Sequence, residues 1–322
     1  MTFDGLGRKL ILSLALGVAV LAGLGLLGDA GRLAASLRSF QWAFAPAILA
    51  LTLGNYGLRF LKWQYLMRVL GVPPIPVSHS VRIFFGGLAM TITPGKVGEW
   101  VKSMLLKEAT GMPISATAPI IVAERLSDGL AMALLASTGL LVFEFGWEIL
   151  VGAVVLVLVV VALSQHQPLA RTILGAVAKL PLVRARAHSL ELFYASARAL
   201  LNARTLGSAT AIGFVSWSLE GLAFYLVLVG LGLPPDLRLV VFAISILAIA
   251  TLAGAVSMLP GGLAAAEGSI AGLLLLTGLT TDATQAAAAT LLIRFATLWF
   301  GVAVGFVALA TLVGGPGRAR TP

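Results

Sequence analysis

Two polar helix breaks interrupt a chain that is otherwise strongly apolar. The first is segment 93–99, TPGKVGE, and the second is segment 259–267, LPGGLAAAE. The backbone is expected to leave the helix at Pro94, Gly95, Pro260, Gly261 and Gly262. In lipid, such a break frees N–H and C=O groups that hydrocarbon cannot satisfy, so it must be buried in protein or face a water-filled cavity. Breaks at corresponding places in two halves indicate the binding site of an inverted-repeat transporter.

The composition predicts a polytopic, all-α membrane protein. Of 322 residues, 59% are hydrophobic and 11% are charged, whereas a soluble domain has about 25% charged residues. The chain contains no cysteine and three histidines, so we expect no thiolate chemistry, metal site or cofactor. The net charge of +9 reflects Lys and Arg in short loops and at the chain ends, a pattern of membrane topology rather than of nucleic acid binding.

Apolar runs of about 20 residues predict the membrane spans. They are residues 10–28, 42–66, 113–143, 149–164, 205–232 and 283–313. Regions 77–110 and 239–279 each contain an apolar run, a Pro-Gly break and a second helix-like run. We expect a single transmembrane domain over residues 1–322, with approximate halves 42–164 and 205–313 joined by a basic loop at 165–204.

Charge counting gives the predicted topology. The basic loop, Arg8 with Lys9, and the C-terminal tail should be cytoplasmic, whereas loop 144–148, which has no basic residue, should be external. Region 77–110 must then begin and end on the cytoplasmic side, and region 239–279 on the external side. Each is therefore predicted to be a re-entrant hairpin with its Pro-Gly break at the tip, and the two hairpins enter from opposite faces. Region 239–258 is long enough to cross the membrane, so the second hairpin is expected to be deep.

Ionisable residues inside spans mark candidate functional positions, because each costs about 2.5–3.5 kcal/mol to insert. Glu124, Arg125 and Asp128 fall on one side of a predicted helix. Two acids beside one arginine leave surplus negative charge, so a further cation is expected nearby, with Arg59 or Arg294 as the candidate. Two interpretations of these three residues remain: they take part in function, or they form a buried ion-pair network that only holds helices together.

The breaks add further candidates. After the first, Lys96, Glu99, Ser103 and Lys107 form one polar stripe, which predicts either a cavity wall or the wet face of an interfacial helix. Helix N-termini after the breaks would bind anions, and arginines would pair with a phosphate. The candidate site residues are Arg59, Lys96, Glu99, Glu124, Arg125, Asp128, Glu220, Glu267 and Arg294. Asn55 precedes Arg59 by one helical turn and is expected to orient it.

Three motifs resemble a known family. They are TPGKVGE at 93–99, ERLSD at 124–128, and LPGGL at 259–263 with Glu267. The chain resembles the flippase-like transmembrane domain of lysylphosphatidylglycerol synthases and its stand-alone relatives, such as the hopanoid-biosynthesis-associated membrane proteins. That family commonly has Gly where this chain has Ala264. The soluble aminoacyl-transferase domain of the synthases is absent from this sequence, so the resemblance implies lipid translocation rather than lysyl transfer.

These observations predict a lipid transporter of the bacterial inner membrane, with both termini cytoplasmic. The substrate would be an anionic or polar-headed lipid, of phospholipid or isoprenoid type, whose headgroup crosses through a central polar cavity. Two alternatives belong to other classes: an integral-membrane enzyme acting on lipid-linked phosphate or sugar, and a non-catalytic partner of a lipid-modifying enzyme. We expect no catalytic activity, and membrane lipid as the main partner, with a lipid-synthesis enzyme as a further one.

Overall fold

The computed structural model describes residues 30–93, 99–141 and 187–313, with a few positions between 151 and 172. These residues form helices and turns, and no strand occurs among them. The predicted span 10–28, most of span 149–164, the tail after residue 313, and Pro94, Gly95 and Lys96 lie outside the described residues.

The helices are numbered here in chain order. They are α1 Ala30–Ser39, α2 Ala45–Leu70, α3 Val77–Ala89, α4 Val101–Thr110, α5 Ile114–Ser137, α6 Ala187–Leu200, α7 Ala203–Gly230, α8 Leu237–Val256, α9 Ala265–Leu276, α10 Ala283–Arg294 and α11 Phe300–Val313. A 3₁₀ turn at Met90–Ile92 extends α3, another forms at Pro260–Gly262, and a π-helix at Phe295–Trp299 joins α10 to α11.

Local signals in the sequence set several helix ends. Asp236 and Asp282 cap α8 and α10, where their carboxylates accept backbone N–H groups from Leu239 at 2.6 Å and Thr284 at 2.8 Å. Glycines with positive φ follow the C-terminal ends of α2, α4, α7 and α9, where an L-residue would be strained. They are Gly71, Gly111, Gly232 and Gly278.

Four helices in the described part of the chain are long and apolar enough to cross a membrane. They are Trp42–Leu70, Ala203–Gly230, Leu237–Val256 and the continuous run Ala283–Leu312. Helix α5 has a similar length, but it carries Glu124, Arg125 and Asp128 in its middle. The prediction of an all-helical membrane protein is therefore confirmed, whereas the re-entrant, inverted arrangement stays a prediction.

The described chain separates into two densely packed units. The first comprises the described residues within 1–54, 76–102 and 219–322, and the second comprises those within 55–75 and 103–218. In the first unit α3 packs along α11, α8 packs on α9, α9 on α10, and α10 on α1. In the second unit α6 packs on α5. The predicted single domain with two sequence halves is not tested by this division.

Close helix contacts in the first unit depend on glycine. A Cβ on Gly305 of α11 would stand 2.8 Å from the carbonyl oxygen of Phe85 in α3, and a Cβ on Gly86 would stand 2.8 Å from the Leu309 side chain. The two backbones can therefore approach closely, as small residues allow in membrane helices. This packing places the C-terminal end of α3, and with it the start of the first break, firmly against α11.

Candidate functional site

The second break is a tight backbone turn in the first unit. Gly261 and Gly262 both have positive φ, at 62° and 69°. A Cβ on Gly262 would stand 2.9 Å from Cα of Gly254 in α8, so only glycine fits there. Ala264 also has positive φ, with φ 68° and ψ −49°, a conformation that costs an L-residue free energy. The break is therefore a shaped, strained turn between α8 and α9.

Arg294 holds this turn through two hydrogen bonds. Its Nε donates to Oε1 of Glu267 at 2.6 Å, and its Nη2 donates to the carbonyl oxygen of Gly261 at 2.9 Å. The Glu267 side chain is 1% exposed and that of Arg294 is 12% exposed. Oε2 of Glu267 has no hydrogen-bond partner among the described residues. One guanidinium thus joins a buried carboxylate to a carbonyl that the helix break has freed, as the membrane environment requires.

The turn that leads into the first break lies against the second break. The turn Met90–Ile92 packs on the turn Pro260–Gly262, and a Cβ on Gly261 would stand 3.7 Å from Cα of Ile92. The hydroxyl of Thr93 donates to the carbonyl of Met90 at 2.7 Å and ends that turn. Both turns belong to the first unit, so the structure brings the residues just before the first break against the turn of the second break.

The described residues of the polar stripe predicted after the first break differ in their exposure. Glu99 and Ser103 are buried, but Lys107 is exposed. Lys102, which was not among the predicted residues, is a buried cation in the described part of this segment. Its Nζ lies 5.6 Å from the centroid of the Phe84 ring, and its methylenes pack on Gly87. Lys102 follows Glu99 by three residues, and this spacing was the available signal.

A buried ion pair in the second unit forms around the acids of α5. Nζ of Lys62, in α2, lies 2.5 Å from Oδ1 of Asp128 and 3.3 Å from the hydroxyl of Ser127. The indole N–H of Trp217, in α7, donates to the same Asp128 oxygen at 2.9 Å. Asp128 therefore connects three helices at one point, with its charge balanced by a buried lysine.

The other predicted residues of this cluster lie around that pair. Nη2 of Arg125 is 3.9 Å from Oδ2 of Asp128, and the Arg125 side chain is 29% exposed. Glu124 is buried on the same helix. The guanidinium of Arg59 lies over the Trp217 ring, 5.2 Å from its centroid. The cation in direct contact with Asp128 is thus Lys62, which the sequence analysis did not name, whereas Arg294 pairs with Glu267 in the first unit.

A reciprocal hydrogen-bond pair fixes α2 against α7 in the second unit. The amide of Asn55 donates to the carbonyl of Ser216 at 2.9 Å and to its hydroxyl at 3.0 Å, and that hydroxyl donates to the carbonyl of Asn55 at 3.1 Å. The expectation that Asn55 orients Arg59 is wrong, because Oδ1 of Asn55, the atom that would accept from a guanidinium, has no hydrogen-bond partner among the described residues. Asn55, Arg59 and Lys62 share one face of α2 at i, i+4 and i+7, and this spacing could have identified Lys62.

Glu220 is buried on α7, in the part of that helix that belongs to the first unit. Its neighbour Gly221 lies against α8, where a Cβ would stand 2.7 Å from the Ile244 side chain. Glu220 is thus held inside protein rather than on the lipid-facing surface. Among the described residues, no group of three or more His, Cys, Asp and Glu side chains is arranged to hold a metal ion.

Comparison with known proteins gives two matches. The family model described as the lysylphosphatidylglycerol synthase TM region matches residues 12–305. A UPF0104 membrane protein of Methanothermobacter thermautotrophicus is 25% identical in an alignment of 319 positions, and the alignment covers 91% of this chain and 93% of the relative. The match extends over both breaks and over both charged clusters, so it includes all of the predicted site residues.

Proposed function

Because the chain belongs to the family of lysylphosphatidylglycerol synthase transmembrane regions, we propose that it moves a lipid between the two leaflets of a membrane without altering it chemically. The lipid has an anionic or polar headgroup, of phospholipid or isoprenoid type. Its hydrocarbon tails stay in the bilayer while the headgroup passes along polar side chains. The protein then acts as a transporter of the bacterial inner membrane rather than as an enzyme.

The observation that carries this proposal is the arrangement of Arg294 at the second break. Its guanidinium binds Glu267 and the carbonyl of Gly261, yet it remains 12% exposed. A phosphate offers the guanidinium a bidentate partner with more charge than one carboxylate oxygen. A headgroup that arrives at Arg294 would compete with Glu267 and release the turn. Binding of the substrate is thereby coupled to the conformation of a strained backbone segment.

The contact between the two turns supports a common headgroup region at the breaks. Met90–Ile92 packs on Pro260–Gly262, and buried Glu99 follows the first turn in sequence as Glu267 follows the second. We propose that 77–110 and 239–279 are re-entrant hairpins that enter from opposite faces, with both chain termini cytoplasmic. The two Pro-Gly breaks would then form the tips, as in transporters built from inverted repeats.

The test is lipid translocation by purified protein in liposomes, measured by chemical quenching of a fluorescent headgroup. Removal of Arg294 alone would leave the buried Glu267 carboxylate without a counter-charge and would destabilise the fold. The informative variant is therefore the double substitution Arg294→Gln with Glu267→Gln. We expect this variant to fold and to lose transport. The matched control is Arg238→Gln, which changes an exposed arginine that stacks on Phe242, 5.2 Å from the ring centroid.

The possible outcomes distinguish a transporter from an enzyme and from a non-catalytic partner, and they test the roles of Arg294 and Glu267. Transport by the control and not by the folded double variant supports the proposal. Equal transport by both removes Arg294 and Glu267 from the mechanism. A chemically changed lipid, detected by mass spectrometry of the liposome extract, would favour an enzyme acting on lipid-linked phosphate or sugar. Unchanged lipid without transport by the unmutated protein would favour a non-catalytic partner of a lipid-synthesis enzyme.

A further inference from the structure

An apolar groove of about 620 Å³ lies in the first unit, beside the helix that carries Arg294. One wall comes from the end of α1 and the start of α2, and the other comes from α10 and the π-helix that follows it. The lining includes Phe40, Trp42, Ile48, Phe295, Ala296 and Trp299, and no charged residue of the described chain belongs to it. The groove is therefore a site for hydrocarbon rather than for a polar solute.

The first wall of the groove is rigid. The rings of Phe40 and Trp42 pack edge to face with centroids 5.2 Å apart, and the Trp42 indole N–H donates to the carbonyl of Leu37 at 3.2 Å. Phe40 also packs against Gly230 of α7, where a Cβ would collide with its ring, and the N–H of Gln41 donates to the Gly230 carbonyl at 2.9 Å. These contacts fix the position of this wall, as expected of a largely pre-formed binding site.

The opposite wall is formed by α10 and the π-helix Phe295–Trp299. π-turns inside α-helices occur frequently at functional sites. The side chains that this wall contributes are apolar or aromatic, which suits a hydrocarbon chain; they are Leu291, Leu292, Phe295, Ala296 and Trp299.

The groove and the second break share one helix. Arg294 reaches the break, where it binds the carbonyl of Gly261. The groove is lined by residues that flank Arg294 in the sequence: Leu291, Leu292, Phe295, Ala296 and Trp299. The side chain of Leu298 faces the break, because a Cβ built on Gly261 would stand 3.4 Å from it. A helix with its side chains is about 10–12 Å wide. A lipid whose phosphate reaches Arg294 can therefore place an acyl chain in the groove on the neighbouring side.

We propose that this groove is the acyl-chain subsite for the lipid whose headgroup binds at Arg294. The inference rests on the proposed lipid transport and adds to it the position of one hydrocarbon tail. The volume lies within the range of about 300–1,000 Å³ that is usual for small-molecule sites. Both Trp42 and Phe295 are exposed at its rim, so a chain from the surrounding bilayer can enter sideways. The seated tail holds the lipid against the break during movement of the headgroup.

The experiment is photolabelling of the purified protein in detergent. The probe is phosphatidylglycerol with a diazirine near the end of one acyl chain, and the labelled residues are located by mass spectrometry. The test variant is Ala296→Phe, which fills the groove, and the matched control is Ala303→Phe, which adds the same ring at an exposed position of α11. We expect label on groove residues, reduced at least tenfold by Ala296→Phe, because exclusion of even two methylene groups weakens binding by about that factor.

Several results would overturn the inference. The first is equal labelling of the two variants, and the second is label spread over exposed positions such as Leu276 and Val307. A third uses Phe295 replaced by p-benzoylphenylalanine: crosslinking to a peptide from residues 10–28 or to a second copy assigns the groove to protein instead of lipid. Labelling needs no transport step, so groove labelling in a protein that moves no lipid would count against the proposed transport alone.

Discussion

The buried pair Lys62–Asp128 gives the sharpest stability prediction. We consider the substitution Lys62→Met, which keeps most of the side-chain length but removes the charge. Removal of one member of a buried ion pair costs about 3–5 kcal/mol, because the remaining charge is left without compensation. Asp128 keeps the Trp217 N–H at 2.9 Å and Arg125 at 3.9 Å. We therefore expect a cost near the lower end, about 3 kcal/mol of unfolding free energy.

A double-mutant cycle separates the pair from the rest of the cluster. Asp128→Asn removes the charge but keeps an oxygen that can accept the Trp217 N–H, and it should also destabilise by about 3 kcal/mol because it strands Lys62. The double variant leaves no buried charge from this pair, so its cost should be smaller than the sum of the two single costs. We expect a coupling of at least about 2 kcal/mol, within the range for residues in direct contact.

The assay is reversible unfolding in mixed micelles with increasing sodium dodecyl sulfate, followed by tryptophan fluorescence. The control is Lys107→Met, because Lys107 is exposed and an exposed charge contributes little. Arg125→Met should have an intermediate effect, since Lys62 is the closer cation to Asp128. The Lys62–Asp128 pair does not stabilise the fold as expected if Lys62→Met unfolds at the same detergent composition as Lys107→Met, or if the two single costs simply add.

Three further predictions concern the breaks and the helix contacts. Ala264→Gly should stabilise the protein by about 1 kcal/mol, because glycine accepts the positive φ without strain; the same unfolding assay would contradict this if stability fell. Gly305→Ala should destabilise by about 1–3 kcal/mol through overpacking against α3, whereas Gly272→Ala, with nothing within 4 Å of its Cβ, should be neutral or stabilising. Single cysteines at Ser78 and Thr110 should react with an impermeant maleimide from the same side of the membrane; reaction from opposite sides would show that region 77–110 is a full crossing.

Features that depend on neighbouring residues in the sequence could be predicted, such as the helices and the turn at the second break. The apolar runs predicted helices because a membrane leaves few alternatives, and the Pro-Gly-Gly segment predicted the turn at Pro260–Gly262. Glu267 and Arg294 were both predicted as candidates because a charged side chain inside a membrane span is costly and usually has a function. Their pairing could not be derived, since 27 residues separate them and the angle between α9 and α10 depends on packing. The strain at Ala264 became visible only with its backbone angles.

Lys62 was missed because each charged residue was considered separately and not as part of a helical face. Lys62 lies near the end of the predicted span 42–66, where a lysine normally reaches the membrane surface. The structure instead buries it against Asp128, because α2 continues to Leu70 and keeps Lys62 inside the helix. The spacing of Asn55, Arg59 and Lys62 marks a single polar face, and a search for helical stripes among polar residues would have found it.

The most direct test of the central claim is lipid translocation by the purified protein alone. Liposomes that contain on average one protein molecule are prepared with a headgroup-labelled phosphatidylglycerol, and an impermeant reductant bleaches the outer-leaflet label. We expect that label from the inner leaflet also becomes accessible in vesicles with active protein, while the lipid recovered is chemically unchanged. Protection of the inner-leaflet label equal to that in protein-free vesicles, for phosphatidylglycerol and for an isoprenoid phosphate alike, would contradict it.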